Sequence, residues 1–350
     1  MKLVIPSVDE DARAQALLRQ MTLTKPTGAL GRLEDLSAWC AAVQGICPPT
    51  TFQRPALVIF AGDHGVARSS KVSAYPPEVT AMMVINFSHG GAAANVLAKQ
   101  HNAHLFSYDI SVTPTPDYLN LVSSEVRDFH VIDGSNDIAL GDAISLGVAR
   151  AAFQAGLAIA ARIVDTGADL FIPGDMGIGN TTAAAAVIGH FIGASAEETT
   201  GTGTGIDEQS LACKREVVGA AIERMRDRDP LAALASGSGA DIVAMTATLI
   251  GVATAKIPIL LDGVVSSAAA VAAEHLAPGV REWMVAGHRS TEPGQSRALA
   301  FLDRDPVLDL GMRLGEGSGA LTALPIINSA IVTLAEMATF EQANVSDRNS

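Results

Sequence analysis

Short apolar runs recur along the chain and each ends in or beside glycine, aspartate or histidine: ALVIFAGDHG (56–65), AHLFSYDI (103–110), DLFIPGDMG (169–177), IPILLDG (257–263) and EWMVAGH (282–288). Long alanine-rich stretches with helical periodicity separate them, such as GVARAAFQAGLAIAARIV and DEQSLACKREVVGAAIERM. Strands alternating with helices need crossover connections, and those connections build a mostly parallel sheet covered on both faces. In such sheets a ligand sits beyond the carboxyl ends of the strands. Asp63, His64, Asp175, Asp262 and His288 close these runs and are candidate site residues by position alone. Residues 1–50 instead read as helices without a strand (DEDARAQALLRQM, then RLEDLSAWCAAVQGI), and the chain after Gly319 reads as helix. The expected organisation is a small helical subdomain from 1–50 together with 320–345, beside a large α/β substrate-binding domain spanning 51–319. Pro48, Pro49 and Pro55 mark the first boundary, and the tail NVSDRNS reads as frayed.

Composition narrows the class. Charged residues are 17% and apolar residues 48% of the 350, so extensive internal packing is expected, with alanine, glycine and valine filling the interior because aromatics are only 4%. A formal net charge of −13 argues against a nucleic-acid partner, which demands clustered lysine and arginine. Cys40, Cys47 and Cys213 form no CxxC pair and no metal-ligand spacing, which fits a reducing cytoplasm. The N-terminus turns acidic by residue 9 and does not read as a signal peptide. The most apolar window, IVAMTATLIGVATAKIPILL, is interrupted by Lys256 and Pro258, so it reads as a buried helix followed by a strand and not as a membrane span.

Glycine-rich loops carry the candidate chemistry. FIPGDMGIGNTTAAAAVIGH (171–190) runs from strand through loop into a helix, presenting Asp175, Gly177, Ile178, Gly179, Asn180 and Thr181 at its start. Free N–H groups there suit a phosphate monoester; a tight turn with a threonine cap is the competing reading. Neither GxxxxGK[ST] nor GxGxxG is present, so triphosphate and dinucleotide fingerprints are absent. TGTGTGIDEQSLACKRE (200–216) repeats the arrangement with Gly203 and Lys214. Tyr75, Met82 and Met83 would line one apolar wall suited to a flat aromatic ligand, although methionines at helical spacing are more often core. The loop GVARSSKVSAYPP is the candidate lid. Asp63 and His64 lack the neighbours that would complete a metal ligand set, so neither a metal nor a cofactor is expected. GHRSTEPGQSRAL (287–299) places His288, Arg289, Ser290 and Glu292 around a turn, as substrate contact, subunit contact or solvated loop. DTGAD (165–169) looks like an aspartic-protease signature but follows a helical run and has no second copy, so it reads as a helix stop.

Taken in order, TKPTGALGRLEDL, AGDHGV, EVTAMMVINF with GGAAANVLA, GDMGIGNTT, GTGTGID, LDGVVSSAAA, HRSTEPGQ and LDLGMRLGEGSGA resemble the nicotinate mononucleotide:5,6-dimethylbenzimidazole phosphoribosyltransferase family, over roughly residues 20 to 340. The resemblance implies a Rossmann-like three-layer α/β/α core, a homodimer and a base exchange. In that exchange the ribose 5-phosphate of nicotinate mononucleotide passes to an aromatic lower-ligand base of cobalamin, giving alpha-ribazole 5′-phosphate and nicotinate. It also assigns Glu316 as catalytic base, with Leu314 and Gly315 beside it. Asp175 stands where the family more often has glutamate, Met82 where many members have glutamine, and Gln295 where EPGH is usual.

The chemistry agrees with that assignment. A pyridinium nucleotide already carries a good leaving group, so one carboxylate suffices to accept the N–H proton of the incoming base. Asp175 is the second candidate base. A nucleotide-binding protein without turnover, with an altered base pocket, is the alternative reading.

Overall fold

The computed structural model describes residues 4–346, so the last four residues of the tail NVSDRNS lie outside the described residues. Six strands form one parallel sheet: β1 (Pro55–Gly62), β2 (His104–Ser111), β3 (Leu170–Met176), β4 (Ile259–Leu261), β5 (Met284–His288) and β6 (Pro306–Leu308), in the order β2-β1-β3-β4-β5-β6. Helices flank the sheet on both sides, as the alternation of runs predicts. β1 is buried along its whole length, which is why its sequence is a nearly unbroken apolar run. β2, at the sheet edge, begins exposed and becomes buried only in its last residues. β6 escaped sequence reading. Three half-buried residues opened by a proline carry no periodic signal, and proline is tolerated at the first position of an edge strand.

The order β2-β1-β3 makes the chain leave β1 toward one side of the sheet and return on the other, so the topological switch point lies between β1 and β3. Alanine-rich helices let the outer layers approach closely. Helix Leu146–Asp165 packs on helix Ala240–Thr254 at Gly156, where an added Cβ would meet the Ala244 carbonyl oxygen at 2.1 Å. Small side chains replace aromatic bulk at that crossing.

The N-terminal helices meet the C-terminal helix. Helix Glu10–Thr22 is capped by Asp9, whose side chain accepts the Ala12 N–H at 2.8 Å, and it packs on helix Arg32–Gln44. Ala12, Ala16, Leu23, Ala38 and Ala41 share a small core with Leu334. Arg19 donates to the carbonyls of Leu334 and Ala335, the last turn of helix Ser318–Glu336, and Leu23 bridges Thr339. Helix Arg32–Gln44 also turns Leu36, Trp39 and Cys40 into the main core. Helix Ser318–Glu336 thus runs from the sheet's carboxyl face to the terminal helices. By length and composition alone it and Leu146–Asp165 could cross a bilayer, but each packs on other elements of the fold.

Candidate active site

At the carboxyl ends of β3, β4 and β5 a cavity of about 340 Å³ opens. One wall is the end of β3 and the start of helix Asn180–Ile192: Asp175, Met176, Gly177, Ile178, Gly179, Asn180 and Thr181. That helix has no side-chain cap at Gly179; the Asn180 and Thr182 N–H groups donate to the carbonyls of Gly177 and Gly179 at 3.1 and 3.0 Å, and the positive end of the helix dipole faces the cavity. Gly203 and Thr204 extend this wall, and Tyr75 and Met83 face it with Val72, Ser73 and Val79. The segment around Tyr75 is tied across the cavity mouth by the Ala74 N–H, which donates to Thr204 Oγ1 at 2.8 Å. Gly263, Val264 and Val265 follow β4; His288 ends β5, and Ser290 and Glu292 follow it; Arg313, Leu314, Gly315 and Glu316 complete the lining.

Glu316 is the unusual member. Its backbone is left-handed at φ 62°, a conformation that costs a non-glycine residue on the order of 1 kcal/mol or more. Its side chain is buried and Oε2 has no hydrogen-bond partner among the described residues. Burial pushes the carboxyl above the ordinary glutamate range and the negative charge of Asp262 adds to this, against a backbone hydrogen bond from Ala94. Asp175 is raised further, by burial first and then by the charges of Asp262, Asp241 and Glu316, although Asn180 donates to its Oδ2 at 2.8 Å. Gly315 stands beside that carboxylate. The floor is therefore acidic and buried, a setting in which a carboxylate takes up a proton readily.

The opposite end is built differently. Glu292 Oε1 accepts the Gly203 N–H at 2.7 Å, while Arg313 Nη1 donates to the Gly203 carbonyl at 2.8 Å. Both polar groups of one glycine are thus fixed. Among the charged lining residues Arg313 is the cation and Asp175, Glu292 and Glu316 are the acids.

Three expected wall residues lie outside the cavity lining. Lys214 is fully enclosed, donating from Nζ to Thr181 Oγ1 at 2.8 Å and the Gly201 carbonyl at 3.1 Å. Burial lowers its ammonium to about 8, with Glu292 opposing. Asp262 is completely buried, its carboxylate committed to backbone N–H groups of the Glu316 loop. Met82 points to solvent at 62% exposure, because successive helical residues face about 100° apart and Met83 takes the wall. Gln295 is also not part of the cavity lining: it is wholly buried, and its Nε2 donates to the carbonyls of Asp262 and His288. His64 pairs with Asp241 at 3.0 Å behind the Gly177 loop. Sequence reading missed Arg313, Thr204 and Val264–Val265; only their adjacency to the glycine loops signals them.

Comparison with other proteins decides the family. Residues 5–345 match the family described as phosphoribosyltransferase. The nicotinate-nucleotide–dimethylbenzimidazole phosphoribosyltransferase of Mycobacterium avium (strain 104) is 52% identical over 341 residues, which covers 97% of this chain and 96% of the relative. The chain belongs to this phosphoribosyltransferase family. The enzyme of the same name from Mycobacterium leprae (strain Br4923) is 50% identical over 340 residues, covering 97% and 95%. The crystal structure of the like-named phosphoribosyltransferase from Thermus thermophilus superposes with a TM-score of 0.89 at 40% identity, covering 97% of this chain and 99% of that one. The phosphoribosyltransferase fold therefore extends over both the sheet and the terminal helices.

Proposed function

We propose that this chain transfers the ribose 5-phosphate of nicotinate mononucleotide onto 5,6-dimethylbenzimidazole or a related lower-ligand base, releasing nicotinate and forming alpha-ribazole 5′-phosphate. The names of its relatives support the substrates, and one observation on the chain itself carries the chemistry: a buried glutamate with an unpartnered oxygen in the cavity and a raised proton affinity.

In this reading the helix start at Gly177–Thr181 receives the phosphate, with Ser290 nearby, while Lys214 braces Thr181 from behind. Tyr75, Met83 and Leu314 flank the flat rings. Glu316 accepts the N–H proton of the azole as its other nitrogen attacks the anomeric carbon. The glycosidic bond to nicotinate breaks, and its electron pair returns to the pyridine nitrogen, neutralising the pyridinium. Attack from the face opposite the leaving group inverts the anomeric centre from beta to alpha. Asp175, more reluctant to ionise, is suited to a ribose hydroxyl. No cofactor or metal is needed for this electron flow. The enzyme is read as a cytoplasmic homodimer; Leu17, Leu18 and Met21, exposed on helix Glu10–Thr22, offer apolar surface for a second copy.

Incubation with nicotinate mononucleotide and a panel of azoles, purines and phenols, read as nicotinate released and riboside phosphate formed, tests the proposal. Base-dependent release with an alpha-riboside product is expected. Binding of the nucleotide without release for any base would favour a non-catalytic binding subunit.

A further inference from the structure

We propose that Asp262 is a positioning residue: its carboxylate clamps the backbone just after Glu316 and so aims the Glu316 side chain into the cavity. The inference rests on the reading of Glu316 as the base.

Asp262 closes β4 and has no exposed surface. Its Oδ2 accepts the Gly317 N–H at 3.1 Å, and its Oδ1 accepts those of Gly319 at 2.8 Å and Ala320 at 3.0 Å. These amides open helix Ser318–Glu336, whose N-cap Gly317 has no side chain with which to cap itself. The cap therefore arrives from a different strand. The other polar groups of Asp262 are committed as well: its N–H donates to Ser266 Oγ at 3.0 Å and its carbonyl accepts Gln295 Nε2 at 2.8 Å. With its backbone and both carboxylate oxygens engaged by the chain, Asp262 stands behind the cavity wall.

The clamp explains how Glu316 keeps its strained backbone. Gly315 anchors the near side, its carbonyl accepting both the N–H and the hydroxyl of Ser318, at 3.0 and 2.7 Å. Asp262 anchors the far side. His288 backs the arrangement: its ring lies so close to Gly319 that an added Cβ would fall 2.0 Å from Cδ2, and its Nε2 stands 3.4 Å from Asp262 Oδ1. One carboxylate thus fixes the position of the base and places a negative charge beside it. The other groups around Glu316 are Asp175, backed by Asp241, His288, Arg313 and the Ala94 N–H.

Two variants separate geometry from charge. Asp262→Asn removes the charge and leaves the Gly317 N–H facing an amide, while Asp262→Glu keeps the charge and displaces the clamp. Both are expected to bind nicotinate mononucleotide as wild type does and to lose between about 10-fold and the ~100-fold in kcat that an ångström of misplacement can cost. Only Asp262→Asn should move the acid limb of the kcat profile to lower pH, since a neighbouring negative charge no longer raises Glu316. An unaltered kcat and pH profile overturns the proposal. So does a Kd for the nucleotide that weakens in step with kcat while the limb stays in place, which would make Asp262 a substrate contact. If the variants do not fold, hydrogen exchange in the wild-type protein decides: the Gly317, Gly319 and Ala320 amides that Asp262 holds must exchange slowly, and rapid exchange at these three refutes the clamp. A fully active Glu316→Gln would instead remove the reading of Glu316 as base, whereas an inactive Glu316→Gln beside a normal Asp262→Asn removes only the positioning.

Discussion

Asp109 and Glu316 are both buried carboxylates near the carboxyl face of one sheet, and they differ in how completely the protein satisfies them. Asp109, near the end of edge strand β2, accepts the Val112 N–H at 2.7 Å, the Tyr118 hydroxyl at 3.0 Å, Arg127 Nε at 3.2 Å and His130 Nδ1 at 2.9 Å. Glu316 has an oxygen with no partner among the described residues and sits in a cavity. A buried polar atom left unpaired costs on the order of 1–3 kcal/mol, so a fold keeps one where a ligand can complete it. The satisfied carboxylate locks a loop. The unsatisfied one is free to work.

Exchanging the roles experimentally should produce opposite signatures. Glu316→Gln is expected to lower base-dependent nicotinate release by about 100-fold or more, the range for a positioned general base. Its unfolding free energy should hold or rise, because the amide carries no buried charge. Asp109→Asn is expected to do the reverse, costing roughly 2–4 kcal/mol of stability by removing the negative charge between Arg127 and His130 and turning one of the two acceptor oxygens into an NH2 donor that faces other donors. Turnover per folded molecule should stay near wild type. Urea unfolding paired with steady-state assays reads both effects, and equal activity losses in the two variants would erase the distinction.

How far this contrast was legible in the sequence depends on the range of the contacts involved. The strand runs and the glycine-rich helix starts are local signals, and Asp175, Gly177, Asn180 and Thr181 reach the cavity as their position in the loop predicts. Asp175 and Asp262 look alike in sequence, each an aspartate closing an apolar run. One faces the cavity and the other caps a helix 55 residues further along the chain, a difference set by a long-range contact that no local pattern encodes. Arg313 and Glu292 were obscure for the same reason: what they grip is the backbone of Gly203, 110 and 89 residues away. Met82 and Met83 were ambiguous because only the helix's rotation against β1 and β3 decides which of two neighbours turns inward.

The smallest expected effect tests whether the Asp109 site is a lock. His130 donates from Nδ1 toward Asp109 and faces Asp133 Oδ1 at 2.9 Å through Nε2, so both ring nitrogens meet carboxylates and the imidazolium fits. The hydrogen bond to Asp109 is the main cause raising its pKa, opposed by burial and by Arg127 and assisted by Asp133. A histidine whose folded pKa exceeds its unfolded value adds stability that is complete below the unfolded value, about 6.5, and is lost as pH rises through the folded one. The difference in unfolding free energy between wild type and His130→Gln should therefore shrink between pH 6 and pH 9, by about 1 kcal/mol or less given the ring's partial exposure. His64, also raised by its own aspartate, contributes to both proteins and cancels from that difference. A gap that widens with pH would mean that neutral imidazole is the form the folded loop prefers, and the Asp109 cluster would then hold its loop by packing instead of by charge.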